Sequence, residues 1–336
     1  MDEFDLIGRY FTRPVSHTAL GVGDDAALID PTPGCQTVVA CDMLVEGVHF
    51  FADADPRGLG HKALAVNLSD LAAMGATPRQ ALLGIALPEA DAAWLAAFAD
   101  GFGALAAHYG VDWVGGDTTR GPRNLCVTVL GEVPRGRALL RSGAGAGDEL
   151  WLSGTPGLAA LGLAHLKGEC RLAGAACTAA LARLHTPAPR VALGIALRGI
   201  ASACIDVSDG VLADLAHLLR ASAAAAGPTV GDPLSAELDG PALMAPLRAH
   251  LREAAAPPPE ALLRQAVLSG GDDYELLFTA PPAHRETVAA LAAATGTPLA
   301  CFGRVLPSMA GATPHITVVD GATSARVTAT GYLHFG

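Results

Sequence analysis

The 336-residue chain carries 22 basic and 33 acidic residues, a formal net charge of −11, and an apolar fraction of 51% that alanine inflates. That length allows a sizeable core and predicts two domains of roughly 150 residues each. The acidic balance, with Lys62 and Lys167 as the only lysines, disfavours a nucleic-acid surface, and no apolar run reaches the roughly 18 uncharged residues of a membrane span.

In chain order, Phe4, Ile7, Tyr10 and Phe11 recur at helical spacing and predict a short amphipathic helix ending near Pro14. The opening MDEFDLIGRYF holds three acids and lacks the basic and apolar regions of an export signal, so the cytoplasm is the expected location. A loop carrying GVGDDAAL follows, and QTVVAC reads as a buried strand with Asp42 at its end. RGLGHKALAVNLSDLAAMGATP predicts a helix with Ala63, Val66, Asp70 and Met74 on one face, stopped by Gly75 and Pro78. Asp70 then lies on an otherwise apolar stripe. After the strand-like QALLGIAL, a stripe of Trp94, Phe98, Phe102, Leu105 and Tyr109 predicts a helix closed by Gly110. VDWV and LCVTVLGEV read as strands flanking a loop, GGDTTRGP. The shift to arginine and glycine in PRGRALLRSGAGAG marks a domain boundary, dividing the chain into 1–138 and 139–336.

The second half predicts a strand at DELWLS, helices at GLAALGLAHL and PRVALGIALRGI, and a strand ACIDV running into a helix over SDGVLADLAHLL. A helix after Pro257 to Pro259, a strand at the end of SGGDDYELLFT, a helix HRETVAALAAA and the strands LACFGRV and HITVV complete it. The seven cysteines are scattered without a C-x-x-C pair and read as buried thiols.

Five segments place an aspartate among glycines or at the end of an apolar run: GVGDDAAL, ACDMLVEGVHF, NLSDLAAMGA, VGGDTTRG and IDVSDGV. Buried carboxylates are destabilising unless paired or metal-bound. From Gly21 to Asp117 the only Lys or Arg residues are Arg57, Lys62 and Arg79, so hard divalent cations are the simplest partners. Such oxygen ligands suit Mg2+, which takes one or two carboxylates and completes its shell with water and phosphate oxygens. Taken alone, Asp24, Asp117 or Asp209 reads first as a helix N-cap or turn residue; recurrence across five segments is what points to metal. The chain has no G-x-x-x-x-G-K-[ST], H-R-D or D-F-G, which excludes P-loop and protein-kinase schemes. GVGDDA formally fits G-x-G-x-x-A, but two acids at the anion site would repel a pyrophosphate.

GVGDDAAL, CDMLVEGVHF, KALAVNLSDLAAMGA, VGGDTTRGP, RSGAGAGD, IDVSDGV and SGGDDYEL stand in the order seen in thiamine-monophosphate kinases, which the chain resembles over nearly its whole length. The wider superfamily resembles aminoimidazole ribonucleotide synthetase and includes selenophosphate synthetase and a hydrogenase maturation factor. The resemblance implies an α/β (α+β), two-domain aminoimidazole ribonucleotide synthetase-like fold. Domain 1–138 would bind ATP and Mg2+ and supply the dimerisation sheet; domain 139–336 would complete the nucleotide and substrate site. It further implies ATP-dependent phosphorylation of thiamine monophosphate to thiamine diphosphate, the last step of thiamine diphosphate biosynthesis, by a cytoplasmic homodimer without nucleic-acid or membrane partners.

Matched motif by motif, Asp25, Asp42, Asp70, Asp117, Asp206 and Asp209 correspond to the family's metal shell, and Gly116, Asp117, Arg141 and Ser208 to its nucleotide contacts. His49, Asp272 and Tyr332 correspond to thiamine-monophosphate contacts, although Tyr332 also reads as a core or edge aromatic and Arg141 as an ordinary surface arginine. Two departures stand out. Asp272 replaces the family's usual glutamate and is one methylene shorter, and Ala40 and Cys41 precede Asp42 where the family often has hydroxyl residues. No general base is expected, because a phosphate monoester with a second pKa near 6 is already largely a dianion at neutral pH. The selenium branch is disfavoured because no cysteine precedes Cys35. A purine-synthesis enzyme and a non-catalytic binding protein of the same fold remain as alternatives, the second weakened by the presence of all six aspartates.

Overall fold

Apolar runs of the sequence build two sheets, one in each of two units of the chain. The computed structural model describes residues 3–225, 234–252, 257–308, 315–329 and 331–332. The first unit comprises Met1–Leu71, Ala76–Ala138 and His185–Val191, and the second Ala72–Gly75, Leu139–Leu184 and Ala192–Gly336. No helix among the described residues is long and apolar enough to cross a membrane.

The first unit opens with α1 (Glu3–Leu6), which continues as a wider turn over Ile7–Phe11 that buries Tyr10 and Phe11. It goes on through β1 (Cys35–Val45), α2 (Pro56–Ala73), β2 (Thr77–Leu87), α3 (Ala92–Tyr109), β3 (Asp112–Arg120) and β4 (Asn124–Pro134). The strands form one sheet in the order β1-β4-β2-β3. β2 and β3 run parallel, joined by α3 as the crossover, and the remaining pairs are antiparallel. Every second residue of β4, including Leu125, Val127 and Val129, is buried, as a sheet with one covered face requires.

The aromatic stripe on α3 packs as its spacing indicates: Phe98 and Phe102 are fully buried, and Phe102 lies against Trp113 of β3 with ring centroids 4.3 Å apart. Asp91 caps the start of α3 through the amides of Ala93 and Trp94, and Gly110 ends it in the left-handed conformation. α2 differs from its expected one-faced character. From Gly58 to Ala73 it is buried throughout except for half-buried His61 and Asp70, so Asp70 stands on a helix surrounded on all sides rather than on an apolar stripe.

Two strand readings need correction. β1 continues past Cys41 to Val45, which puts Asp42 inside the strand, because the ladder with β4 runs on to the pair Val45 with Asn124. GGDTTR is likewise no loop: pairing with Leu82 to Leu87 of β2 holds Gly115 to Arg120 in β3.

The second unit contains β5 (Glu149–Ser153), α4 (Leu158–Leu166), α5 (Gly174–His185), α6 (Val191–Ala196), β6 (Ala203–Val207), α7 (Val211–Ala225), β7 (Leu234–Asp239) and α8 (Gly240–His250). After these come α9 (Glu260–Ser269), β8 (Glu275–Ala280), α10 (Arg285–Thr295), β9 (Leu299–Pro307), β10 (Ile316–Asp320) and β11 (Thr323–Val327). Its seven strands lie in the order β11-β10-β7-β9-β5-β8-β6. Leu150, Ile205 and Val207 from the strands, Leu215 and Leu218 from α7 and Val267 from α9 share one buried core. α7 is therefore anchored along its length, and the turn that precedes it sits on a rigid base.

Candidate functional site

In the first unit, the backbone amide of Asp42 donates to Oδ1 of Asn67 at 2.9 Å, and Nδ2 of Asn67 donates to the carbonyl of Ala63 at 3.0 Å. Asn67 is fully buried, so its carboxamide clips α2 to β1 one turn before Asp70. Asn67 was not singled out by motif reading; the available signal was a polar amide in the middle of an apolar helix. Burial raises the Asp42 carboxyl above its ordinary pKa, so its charged form is penalised unless a cation stands nearby.

Gly116 lies in one row across the sheet with Asp42, Val127 and Leu83, and Asp117 follows it, exposed. β1 and β3 are the two edges, three strand spacings or ~14 Å apart. Asp42 and Asp117 therefore cannot grip one small ion directly. Asp25 is exposed, with its amide donating to Oδ1 of Asp24 at 2.8 Å. His49, half-buried after β1, accepts the Val45 amide on Nδ1 at 3.0 Å, which leaves the proton of a neutral ring on Nε2.

The second unit draws more of the expected residues together. β6 ends in Val207 and leads through Ser208, Asp209 and Gly210 into α7. Oδ2 of Asp214, on the first turn of α7, accepts the amides of Ser208 (3.2 Å), Asp209 (3.2 Å) and Gly210 (3.1 Å). Segment 270–274 runs alongside: the Asp272 amide donates to the Ser208 carbonyl at 2.9 Å and the Tyr274 amide to that of Val207 at 2.8 Å. Asp272 and Tyr274 both have left-handed backbones, with φ of 67° and 50°, and the Tyr274 hydroxyl donates to Oδ1 of Asp272 at 3.0 Å. The Tyr332 amide donates to the Asp209 carbonyl at 3.2 Å. Ser208, Asp209, Asp272 and Tyr332 thus belong to one hydrogen-bonded assembly, and Asp206 stands just before it on β6, opposite Leu276 of β8.

Arg141 is exposed, and its loop is tied to α7 by Ser222, whose hydroxyl donates to the Arg141 carbonyl at 3.2 Å and accepts the Ala144 amide at 3.1 Å. Between these points on α7, burial, Arg220 and Arg141 lower the pKa of His217, with Asp209 opposing. Burial first, then the charges of Asp206 and Asp209, push the Asp214 carboxyl up to about 7. Motif reading passed over Asp214, although an acid in the first turn of a helix stands where carboxylates favour the unpaired amides of the helix start.

No group of three or more His, Cys, Asp or Glu residues that could hold a metal ion is found among the described residues. The donors are nonetheless of the right kind for a hard divalent cation: oxygen only, with burial penalising charge at Asp42, and burial followed by the charges of Asp206 and Asp209 penalising it at Asp214. Mg2+ needs few carboxylates when phosphate oxygens complete its shell.

Two sheet-bearing units with glycine-bracketed aspartates in place of a P-loop define a class, the AIR synthase related proteins, whose N-terminal domain model matches residues 23–133. The thiamine-monophosphate kinase of Escherichia coli K12 is 43% identical over 314 residues, 92% of each chain. The crystal structure of thiamine-monophosphate kinase from Stenotrophomonas maltophilia K279a is 40% identical with a TM-score of 0.80, covering 94% of both chains. An AaThiL structure complexed with AMPPCP and TMP is 28% identical with a TM-score of 0.74, covering 94% of this chain and 92% of that one. The chain belongs to the thiamine-monophosphate kinase family and is an enzyme of that phosphotransferase class.

Proposed function

We propose that this enzyme transfers the terminal phosphoryl group of ATP to thiamine monophosphate, giving thiamine diphosphate, as the last step of thiamine diphosphate biosynthesis in the cytoplasm. The observation that carries the reading is the crowding of Asp206, Asp209 and Asp214 in a turn whose shape the GGDDY segment fixes. Negative charge concentrated in that way is stabilised by divalent cations, which can in turn hold phosphate oxygens. The AaThiL relative was solved with AMPPCP and TMP, ligands of the two kinds this donor set suits.

Asp25, Asp42, Asp70, Asp117, Asp206 and Asp209 would hold Mg2+, which when bound supplies neutralisation of the charge that keeps two phosphates apart, a repulsion worth several kcal/mol even at an effective dielectric of about 20. Gly116, Asp117, Arg141 and Ser208 bind the nucleotide, with the Arg141 guanidinium suited to a phosphate oxygen. His49, Asp272 and Tyr332 orient thiamine monophosphate. His49 offers Nε2–H as a donor, and the Tyr274 hydroxyl holds the shorter Asp272 carboxylate in place. The acceptor is already a dianion at neutral pH, so no side chain need take a proton and transfer is direct and in line, without a phosphoenzyme. The first unit serves nucleotide, metal and dimer formation, the second completes the nucleotide and acceptor contacts, and the enzyme works as a homodimer.

Incubation of the purified chain with ATP, MgCl2 and thiamine monophosphate should yield thiamine diphosphate by chromatography, and EDTA should stop it. Asp42→Asn and Asp70→Asn should each lower turnover about 100-fold or more with unchanged circular dichroism. Absence of product from the wild-type chain, or near-normal turnover in both variants, would overturn the reading.

A further inference from the structure

In the turn between β6 and α7, the backbone groups that define its shape are all engaged. Three successive amides, those of Ser208, Asp209 and Gly210, converge on one oxygen of Asp214 at 3.1 to 3.2 Å. The carbonyls of Val207, Ser208 and Asp209 accept from the amides of Tyr274, Asp272 and Tyr332, and the carbonyl of Gly210 accepts from the Asp214 amide at 3.0 Å. With amides turned inward and carbonyls bonded to neighbouring segments, the half-buried side chains of Ser208 and Asp209 are the side-chain groups this turn offers a ligand.

Capping a helix does not by itself call for such an arrangement. One exposed Ser, Thr, Asn or Asp at the N-cap satisfies one or two of the orphan amides at a helix start. Here the acceptor is 4% exposed, reaches back from inside the helix, and gathers the amides of the residues on which the metal and nucleotide motif is written.

We propose that Asp214 is a positioning residue, whose Oδ2 holds the Ser208 to Gly210 turn in the one shape that presents Asp209 to Mg2+ and Ser208 to a nucleotide phosphate. Asp214 touches neither ligand. The inference rests on the roles given above to Ser208 and Asp209.

Two variants test it. Asp214→Asn keeps an acceptor oxygen in place, whereas Asp214→Ala removes it. Each is compared with wild type by hydrogen–deuterium exchange at amides 208 to 210 without metal, and by the Mg2+ concentration that gives half-maximal turnover, both well below the variant's Tm. The Ala variant should lose protection at those amides and need about tenfold more Mg2+ or higher; the Asn variant should keep its protection and stay within about threefold of wild type. Wild-type protection and Mg2+ dependence in the Ala variant would overturn the proposal. So would an Asn variant impaired in both measurements, which also decides the matter if the Ala variant does not fold. Should the wild-type chain make no thiamine diphosphate, the proposed reaction fails, while the exchange measurement still reports whether Asp214 holds the turn.

Discussion

Asp272 and Asp273 are neighbours that look alike in sequence and live in different surroundings. Asp272 is half-buried and bonded to the Tyr274 hydroxyl, whereas Asp273 is fully buried, with Oδ2 accepting the Gly157 amide at 2.7 Å. Burial pushes the Asp273 carboxyl well above its usual range; the Gly157 amide and Arg183 pull against this, and Glu275 adds to it. Because the folded pKa is raised above the unfolded value of about 3.9, the group's favourable contribution is present below that value and is lost as pH rises toward the folded pKa, with a limiting slope of ~1.4 kcal/mol per pH unit. Asp273→Asn keeps an acceptor for Gly157 and removes this dependence. Its urea midpoint should therefore gain on that of wild type between pH 5 and pH 8 in EDTA; a constant difference across that interval would show that Asp273 is ionised throughout. Motif matching distinguished Asp272 because of its place in SGGDDYEL, but burial of its twin is a tertiary fact that no local pattern carries.

At the scale of elements, the sequence was most legible where a periodic stripe came with its own terminators. α3 was plain because its aromatics recur at three- and four-residue spacing and Gly110 closes it. The ends of β1 and β3 were less so, since β1 runs on past the acid Asp42 and β3 through glycines and threonines, and only the ladders show them extended, with β4 for Asp42 to Val45 and with β2 for Gly115 to Arg120. α5 (GAACTAALARLH) escaped notice because its buried stripe, Ala176, Ala180 and Leu184, is mostly alanine, and β7 and α8 were not read although Gly231 and Gly240 stand on either side of β7. The same ladder explains Gly116. Its φ of +149° and the closeness of the Leu83 carbonyl leave no room for a Cβ, so the glycine is demanded by the β2–β3 pairing whether or not nucleotide touches it. Gly116→Ala should destabilise the fold by roughly 3 kcal/mol or more, visible as a lowered Tm without any ligand; an unchanged Tm would leave nucleotide contact as the sole reason for this glycine.

For the whole molecule, the family was legible because seven motifs stand in a fixed order, which local ambiguity at any one of them does not disturb. The interleaving of the two units was not. Segment His185–Val191 belongs to the first unit, where His61 donates to the Pro187 carbonyl at 2.8 Å and Tyr109 to that of Pro189 at 2.9 Å. A proline-containing strap reads locally as a linker, and its return to an earlier part of the chain shows only in three dimensions. The uncovered face of the first sheet bears on assembly. Val39 and Met43 of β1 are 61% and 51% exposed, with Cys41 between them on the same side, an apolar patch of the kind that marks an interface. Val39→Asp combined with Met43→Asp should convert the proposed homodimer to a monomer in analytical ultracentrifugation; a monomeric wild type would remove the premise.

The crossing of α2 and α3 carries one more consequence. Gly60 meets the backbone of Phe98, and Gly101 meets that of Arg57, so closely that neither position can accept even a methyl group. A bulkier residue at either would lever α2 outward and carry Asn67 and Asp70 with it, and shifts of about 1 Å are enough to cost a phosphotransferase much of its rate. In a saturation-mutagenesis screen scored by growth, Gly60 and Gly101 would therefore stand beside the aspartates as apparent active-site positions, although their intolerance records only how tightly two helices are seated.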